Sequence, residues 1–190
     1  MSDKITSLIR YKSKISIVGN GELSIKDKSI INKSDIVIRM NSARNYKEND
    51  ESKTDVMVYR CGLHSVCGLN GDYTAPHNTK SHKECQTILV IGFYNDKYLS
   101  IAAKNPDKTV EIIKPLWSKE FGGTRDVTLS TGTTMVYYIV ECIKNNLFND
   151  KKVFLTGIHH NVKDTVHDWA LEKCIISDII KDNDFVSKVD

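Results

Sequence analysis

The chain has 190 residues, 40% of them hydrophobic and 27% charged, and a formal net charge of +3. These values are ordinary for a soluble globular protein, and the length favours a single domain over residues 1–190. The charge is too small to demonstrate a nucleic-acid partner, and no apolar run reaches the roughly 20 residues of a membrane span. Because the N-terminus shows no signal-peptide core, we expect a cytoplasmic protein whose five cysteines are reduced.

In chain order, the first clear pattern is a strand, a glycine turn, a helix and a second strand within residues 14–43. An apolar run (15–18) precedes the turn Gly19-Asn20-Gly21, and a second apolar run (36–38) ends in Arg39-Met40-Asn41. This pattern places the turn at the helix N-terminus, where unpaired N–H groups and the helix dipole suit a phosphate. Because the third glycine of the dinucleotide fingerprint is missing, a purely structural turn is the alternative.

The rest of the chain alternates between strand and helix patterns, after a polar lead-in (1–13) and before a charged C-terminal tail. This alternation predicts an α/β fold with a mostly parallel sheet and helices on both faces. Ligands in such folds bind beyond the carboxyl ends of the strands, so the glycine turn, residues 39–41 and the loop after Gly157 should lie together. The predicted elements are strands at Asp55–Arg60, Thr87–Phe93, Thr109–Ile113 and Lys152–Thr156, and helices at Asp96–Lys104, Thr133–Phe148 and Thr165–Ile180.

The segment Ser130-Thr131-Gly132 directly precedes the long helix predicted at 133–148. Hydroxyl groups and free N–H groups at a helix N-terminus can hold a phosphate or a carboxylate. A simple helix cap, with no ligand, is the alternative explanation of the same residues.

His167 lies near the start of the last predicted helix. A weak capping box over residues 165–168 would place it in the first turn, where the helix dipole favours the neutral imidazole that a general base requires. A surface histidine is the alternative. Glu172 follows about 140° further around a helix that turns ~100° per residue, so we interpret it as a supporting or helix-anchoring group.

Side chains that could bind zinc are concentrated in one predicted loop, 61–85, which could form a flexible lid over residues 61–86. Their spacing matches no standard zinc finger, and reduced thiols in a loop are the alternative. Asp182-Asn183-Asp184 has the D-x-D form of metal–diphosphate sites, but its position favours a solvated tail. The zinc candidates are Cys61, His64, Cys67, His77, His82 and Cys85.

Three segments of the chain, in order, resemble the motifs of one enzyme family. The segment VGNG…SDIVIRMNSA is similar to the large sialylmotif, and LSTGTTMVYYIVECI followed by KKVFLTGI is similar to the small sialylmotif. The segment from His167 to Glu172 has the H-x4-E form of the very small motif. Together these segments cover most of residues 14–175 and resemble the family 29 glycosyltransferases, the eukaryotic-type sialyltransferases.

The resemblance implies a Rossmann-like variant of the GT-A fold, acting as an inverting glycosyltransferase without a metal or other cofactor. It implies a nucleotide-sugar donor, with sialic acid as one candidate sugar, and the hydroxyl of a glycan as acceptor. His167 would deprotonate that hydroxyl or support the departing phosphate, with Glu172 in support. The residues expected at the donor and its nucleotide are Gly19, Asn20, Gly21, Arg39, Asn41, Ser130, Thr131 and Gly132.

The chain departs from the family pattern at several positions. Ile15 and a residue near Asn149 replace the cysteines of the family disulfide, and Leu129 replaces a proline. His159 and His160, the remaining supporting candidates, only hint at the family's His-Tyr-rich third motif. A short version without a Golgi anchor suggests a microbial or viral source. Two alternatives stay open: a viral-type glycosyltransferase that adds a non-sialic sugar to hydroxylated DNA bases, and a non-catalytic nucleotide-binding or zinc-stabilised module.

Overall fold

The computed structural model describes residues 3–41, 43, 53–60, 79–92, 96–158 and 167–189, and these residues form one parallel sheet flanked by helices. The strands are β1 (Lys14–Val18), β2 (Ile36–Met40), β3 (Val56–Arg60), β4 (Thr87–Ile91), β5 (Thr109–Ile113), β6 (Lys152–Thr156) and β7 (Val186–Lys188). They lie in the order β5-β4-β3-β2-β1-β6-β7, and every neighbouring pair is parallel. The predicted Rossmann-like α/β fold is confirmed.

Helices cover both faces of this sheet, because its strands are apolar on both sides. One face packs against α1, α5 and α6, whereas Ile31 of α2 and Ile101 of α4 belong to clusters on the opposite face. The helices are α1 (Asp3–Ile9), α2 (Ile25–Asn32), α3 (Thr79–Glu84), α4 (Asp96–Lys104), α5 (Thr131–Asn145) and α6 (Trp169–Asp182), with one 3-10 turn at Ser118–Phe121. Within the described residues, no helix combines the length and apolarity needed to cross a membrane.

The helix α5 is the longest of the three helices on the face that packs against α1, α5 and α6. Its buried residues Val136, Ile139, Val140 and Ile143 recur at intervals of three and four, which is the spacing of a helix with one apolar side. They pack on the central strands, and burial of each such side chain contributes about 1.5–3 kcal/mol. The N-terminus of α5 is thereby fixed at the carboxyl edge of the sheet.

The strand order reverses between β1 and β6, which makes their carboxyl ends the topological switch point of the sheet. The two chain segments meet closely there: Gly19 N–H donates to the Thr156 carbonyl (2.8 Å) and Gly21 N–H to the Gly157 carbonyl (2.9 Å). A Cβ atom added to Gly19 would lie 2.3 Å from the Gly157 oxygen. The close contact between the two strand ends therefore leaves no space for a side chain at position 19. This contact is sufficient to explain the glycine there without a ligand.

Three segments that were predicted to lack secondary structure contain a helix or a strand. The lead-in 1–13 contains α1, whose Ile5 and Ile9 are fully buried in the main core. The predicted loop 61–85 ends in α3, and the predicted tail forms β7 beside β6. In the D-x-D segment, Asp182 and Asp184 are exposed, as the solvated-tail interpretation predicts. That interpretation was wrong for Asn183, which is buried and whose side-chain N–H donates to the Ile179 carbonyl (2.7 Å).

Candidate active site

One buried carboxylate connects α6 to the N-terminus of α5 through hydrogen bonds. Glu172 is fully buried, and its oxygens accept hydrogen bonds from the Ser130 backbone N–H (2.8 Å) and the Ser130 hydroxyl (2.5 Å). A third bond comes from the Thr133 hydroxyl (2.5 Å). The Ser130 hydroxyl also accepts from the Thr133 N–H, so Ser130 is the predicted helix cap. The predicted anchoring role of Glu172 has a direct structural basis in these bonds.

His167 lies beside this cluster, just before α6. The helix begins at Trp169 with Asp168 as its N-cap, so the predicted position of His167 inside the first turn was wrong. Its Nδ1 lies 3.0 Å from the Thr128 carbonyl oxygen. A carbonyl only accepts, so in neutral His167 the ring hydrogen is on Nδ1 and the lone pair is on Nε2. The Trp169 ring packs edge-on against the imidazole at 5.0 Å between centroids.

The carbonyl that orients His167 belongs to Thr128, in the segment between β5 and α5. This segment closes into a hairpin-like turn through an antiparallel bridge between Trp117 and Thr128. Arg125 in the same turn donates from Nη1 to the His167 carbonyl oxygen (2.8 Å). The turn therefore holds His167 at both its backbone and its ring.

Arg60, at the end of β3, is the main residue of the site that the sequence interpretation missed. Its Nη1 lies 3.1 Å from the Leu129 carbonyl oxygen and 3.5 Å from Nε2 of His167. Burial lowers the pKa of the Arg60 guanidinium, and the Glu172 carboxylate partly opposes this effect. The available signal was a cation that ends an apolar strand, the same pattern that drew attention to Arg39.

Asn41 extends the cluster towards β2. Its side-chain N–H donates to the Thr131 hydroxyl (3.3 Å), and its backbone has the left-handed conformation, with φ 50°, that asparagine tolerates. Gly132 follows in the first turn of α5, where an added Cβ would come no closer than 3.4 Å to the Met40 sulfur. Protein packing therefore leaves room at Gly132, unlike at Gly19.

Two features predicted for a phosphate site, Arg39 and the N-terminus of α2, make other contacts in the structure. Arg39 is fully buried, donates from Nε to the Lys53 carbonyl (3.5 Å) and lies on the sheet face opposite Met40, so it does not join the cluster. The N-terminus of α2 lies beyond the glycine turn and is capped by Ser24 and Asp27 in a reciprocal box. The Asp27 carboxylate accepts the Ser24 N–H at that helix end, and a phosphate bound at the glycine turn stays a prediction.

The remaining predicted residues are only partly described. Asn20 is exposed at the carboxyl end of β1, next to β2, and Gly21 is half-buried beside it. His159 and His160 lie outside the described residues. The structure therefore brings Asn41, Ser130, Thr131, Gly132, His167 and Glu172 together, and it leaves Arg39 out.

Two zinc candidates have other structural roles. The Nδ1 of His82 lies 2.9 Å from the Tyr59 hydroxyl, and Nε2 lies 2.7 Å from the Asn105 side-chain oxygen. Both ring nitrogens are thus engaged. Cys85 is buried and donates to the His82 carbonyl, and burial raises the pKa of its thiol to about 11. The other candidates, Cys61, His64, Cys67 and His77, lie outside the described residues, and a zinc site there stays a prediction.

A scan against known protein families finds no match for this chain, and a search of curated proteins finds none either. The site combines an oriented imidazole, two guanidinium groups and the first turn of a helix.

Proposed function

We propose that the chain is a metal-independent inverting glycosyltransferase that uses a nucleotide-sugar donor, with sialic acid as one candidate sugar. One observation carries the proposal. Residues from three separate sequence motifs, Asn41, Ser130-Thr131-Gly132 and His167 with Glu172, meet at the carboxyl edge of one parallel sheet. That edge is where doubly wound folds bind nucleotides.

His167 is suited to the role of general base. With Nδ1 directed at the Thr128 carbonyl, Nε2 can accept the proton of an acceptor hydroxyl. The hydroxyl oxygen then bonds to the anomeric carbon from the side opposite the phosphate. The bond from that carbon to the phosphate oxygen breaks, and its electron pair leaves with the nucleotide, which inverts the configuration.

The first turn of α5 is suited to the departing phosphate. Within the described residues, the backbone N–H groups of Thr131 and Gly132 have no hydrogen-bond partner, because they are among the N–H groups that a helix cannot satisfy internally. The side-chain amide of Asn41 lies beside them. Glu172 acts here by holding Ser130 and Thr133 in place, since its carboxylate already accepts three hydrogen bonds.

Thermal unfolding with a panel of nucleotides tests the proposal. CMP, CDP, UDP, GDP and ADP are added separately to the full chain in EDTA, each with its nucleoside as the matched control. A ligand at 100 times its dissociation constant stabilises a fold by about 2.7 kcal/mol, which raises the melting temperature measurably. We expect at least one nucleotide to do so. No response to any of them would contradict the proposal, and a selective response to CMP would favour sialic acid as the donor sugar.

The acceptor is tested with the sugar nucleotide that the panel identifies. Transfer to saccharides and to hydroxymethylated DNA is measured side by side at two salt concentrations. Binding to DNA through its phosphates weakens steeply with salt, whereas binding to a neutral saccharide does not. Transfer to saccharides is the expected result. Salt-sensitive transfer to DNA alone would show that the acceptor is DNA and not a glycan.

A further inference from the structure

An open groove with a volume of about 460 Å³ lies between α5 and α6 on the surface of the chain. It is separate from the candidate active site, because Ser130, His167 and Glu172 are not among the residues that line it. Its floor consists of buried or half-buried apolar side chains, and an apolar floor that solvent reaches can bury the apolar surface of a partner. The side chains of the floor are Phe121, Tyr137, Val140, Leu171, Ile175 and Ile179.

The groove follows the two helices along several turns. On α6 the lining extends from Leu171 to Asp182, which is about 16 Å of helix axis, and on α5 it extends from Tyr137 to Lys144. This length corresponds to about three turns of a further helix laid between the two. The groove is therefore long and narrow, which fits one side of a peptide helix better than a compact small molecule.

The rim of the groove is acidic, although the whole chain carries a formal net charge of +3. Glu141 on α5 and Asp178 and Asp182 on α6 contribute three carboxylates, against the ammonium group of Lys144. The Lys144 Nζ lies 3.6 Å from Oε1 of Glu141, so this lysine is already paired. Asp178 and Asp182 are exposed, and among the residues that the structure describes no cation forms an ion pair with either. The two aspartates can therefore pair with cations that a partner supplies.

Asp178 and Asp182 are unfavourable for the helix that carries them. They are four residues apart and so are neighbours on one side of α6, where like charges repel. Both lie in the C-terminal half of α6, and Asp182 is its last residue, where the helix dipole favours cations. A cationic partner would remove both effects. An anionic lipid surface, or a second copy that presented the same groove, would add further repulsion.

We propose that the groove between α5 and α6 binds a basic amphipathic helix of a partner protein. Apolar side chains at intervals of three and four residues along that helix would pack on the floor of the groove, around Tyr137, Leu171 and Ile175. Lysine or arginine side chains beside this apolar stripe would pair with Asp178 and Asp182 on the rim. The groove thus contributes apolar burial to affinity and its carboxylates contribute to the choice of partner.

Peptides selected from a random library displayed on phage test this inference. The full chain is the bait, and the peptides have about 16 residues, enough to cover the groove as a helix. We expect the selected peptides to combine lysine or arginine with apolar residues at helical spacing, and to bind more weakly at high salt.

The two aspartates are tested in a double variant, Asp178→Asn with Asp182→Asn. It should bind the selected peptides about 2- to 30-fold more weakly than the parent, the effect of losing two surface ion pairs. Its melting temperature should be equal or higher, because both carboxylates are unfavourable for α6, so a loss of binding cannot be attributed to unfolding. Glu22→Gln is the matched control, since Glu22 is exposed before α2, on the opposite face of the sheet.

The thiol of Cys174 locates the bound peptide. Cys174 lines the groove and is exposed, whereas Cys85 and Cys142 are buried. Trypsin releases Cys174 within residues 174–181, which contain no other cysteine, so its alkylation is measured separately by mass spectrometry. We expect a saturating selected peptide to slow alkylation of Cys174 several-fold in the parent.

Four results would overturn the inference. They are selection of no peptide, selected peptides without an excess of basic residues, equal affinity for the parent and the double variant, and alkylation of Cys174 that the peptide does not slow. Protection of Cys174 that increases with the concentration of the chain itself, without peptide, would assign the groove to a second copy and would also overturn the inference.

Discussion

The imidazole of His167 is fixed by contacts with three separate parts of the chain: the Thr128 carbonyl, the Arg60 guanidinium and the Trp169 ring. If His167 is the base, His167→Ala should lower the transfer rate by a factor on the order of 10²–10⁴, the usual effect of losing acid–base catalysis. Nucleotide affinity, measured in the same variant by calorimetry, should stay within about threefold, because the proposed phosphate position is at the first turn of α5 and not at His167. Unchanged turnover would remove His167 from the mechanism.

Glu172 offers a prediction about stability at the same scale. Glu172→Gln keeps the shape but replaces the charged acceptor of Ser130 and Thr133 by a neutral amide, so buried hydrogen bonds to a carboxylate are lost or weakened. We expect the free energy of unfolding in urea to fall by about 1–3 kcal/mol. Glu141→Gln on the exposed side of α5 is the control and should change it by less than about 0.5 kcal/mol. Equal stabilities of the two variants would show that the hydrogen bonds from Ser130 and Thr133 to Glu172 do not stabilise the contact between α5 and α6.

At the scale of elements, two glycines have opposite surroundings. Gly19→Ala would force the ends of β1 and β6 apart, because its Cβ would lie 2.3 Å from the Gly157 oxygen. We expect a loss of about 1–3 kcal/mol in the free energy of unfolding. Gly132→Ala meets nothing closer than 3.4 Å and lies in a helix, so stability should be unchanged or up to about 1 kcal/mol higher.

Nucleotide binding to the same pair tests the proposed donor position. The methyl group of Gly132→Ala would lie where a phosphate approaches the first turn of α5, so this variant should bind the nucleotide more weakly while folding normally. A variant that binds as tightly as the parent would move the phosphate away from this turn. Gly19→Ala, in contrast, should lose stability whether or not a nucleotide is present.

The elements themselves were largely predictable from hydrophobic periodicity. The strand Lys152–Thr156 and the helix Asp96–Lys104 begin and end where predicted, since burial on one or both faces imposes a regular pattern. The helix α1 and the strand β7 were missed because each is short and polar overall. Ile5 and Ile9 are buried by contacts with the sheet, and such tertiary contacts are not visible in the local sequence pattern.

At the scale of the whole molecule, sequence predicted which segments meet at the sheet edge better than which side chains face it. Arg39 and Arg60 both follow an apolar run of a strand, yet Arg39 points into the opposite face, whereas Arg60 reaches His167. Successive strand residues alternate between faces, so an error of one position in the strand end reverses the assignment. The Thr128 carbonyl carries no sequence signal, because a backbone acceptor is present at every residue.

Stability of the whole fold should also depend on pH through His82, whose ring bonds Tyr59 and Asn105 and not the residues of the candidate active site. Because Nε2 must donate to the Asn105 oxygen, Nδ1 of neutral His82 accepts from the Tyr59 hydroxyl. Burial lowers the pKa of His82 in the folded protein, with the hydrogen bond to Asn105 opposing it. The unfolded chain therefore binds this proton first as the pH falls below about 6.5, and acid favours unfolding.

We expect the contribution of His82 to be complete above about pH 6.5 and to be lost progressively as the pH falls from there towards its lower folded-state pKa. His82→Gln keeps an acceptor and a donor but cannot titrate, so its free energy of unfolding should fall less between pH 7.5 and pH 5.5 than that of the parent. Urea unfolding of both proteins at the two pH values gives this difference directly. Parallel losses in the two proteins would show that other groups, and not the buried network of Tyr59, His82 and Asn105, set the acid sensitivity of the fold.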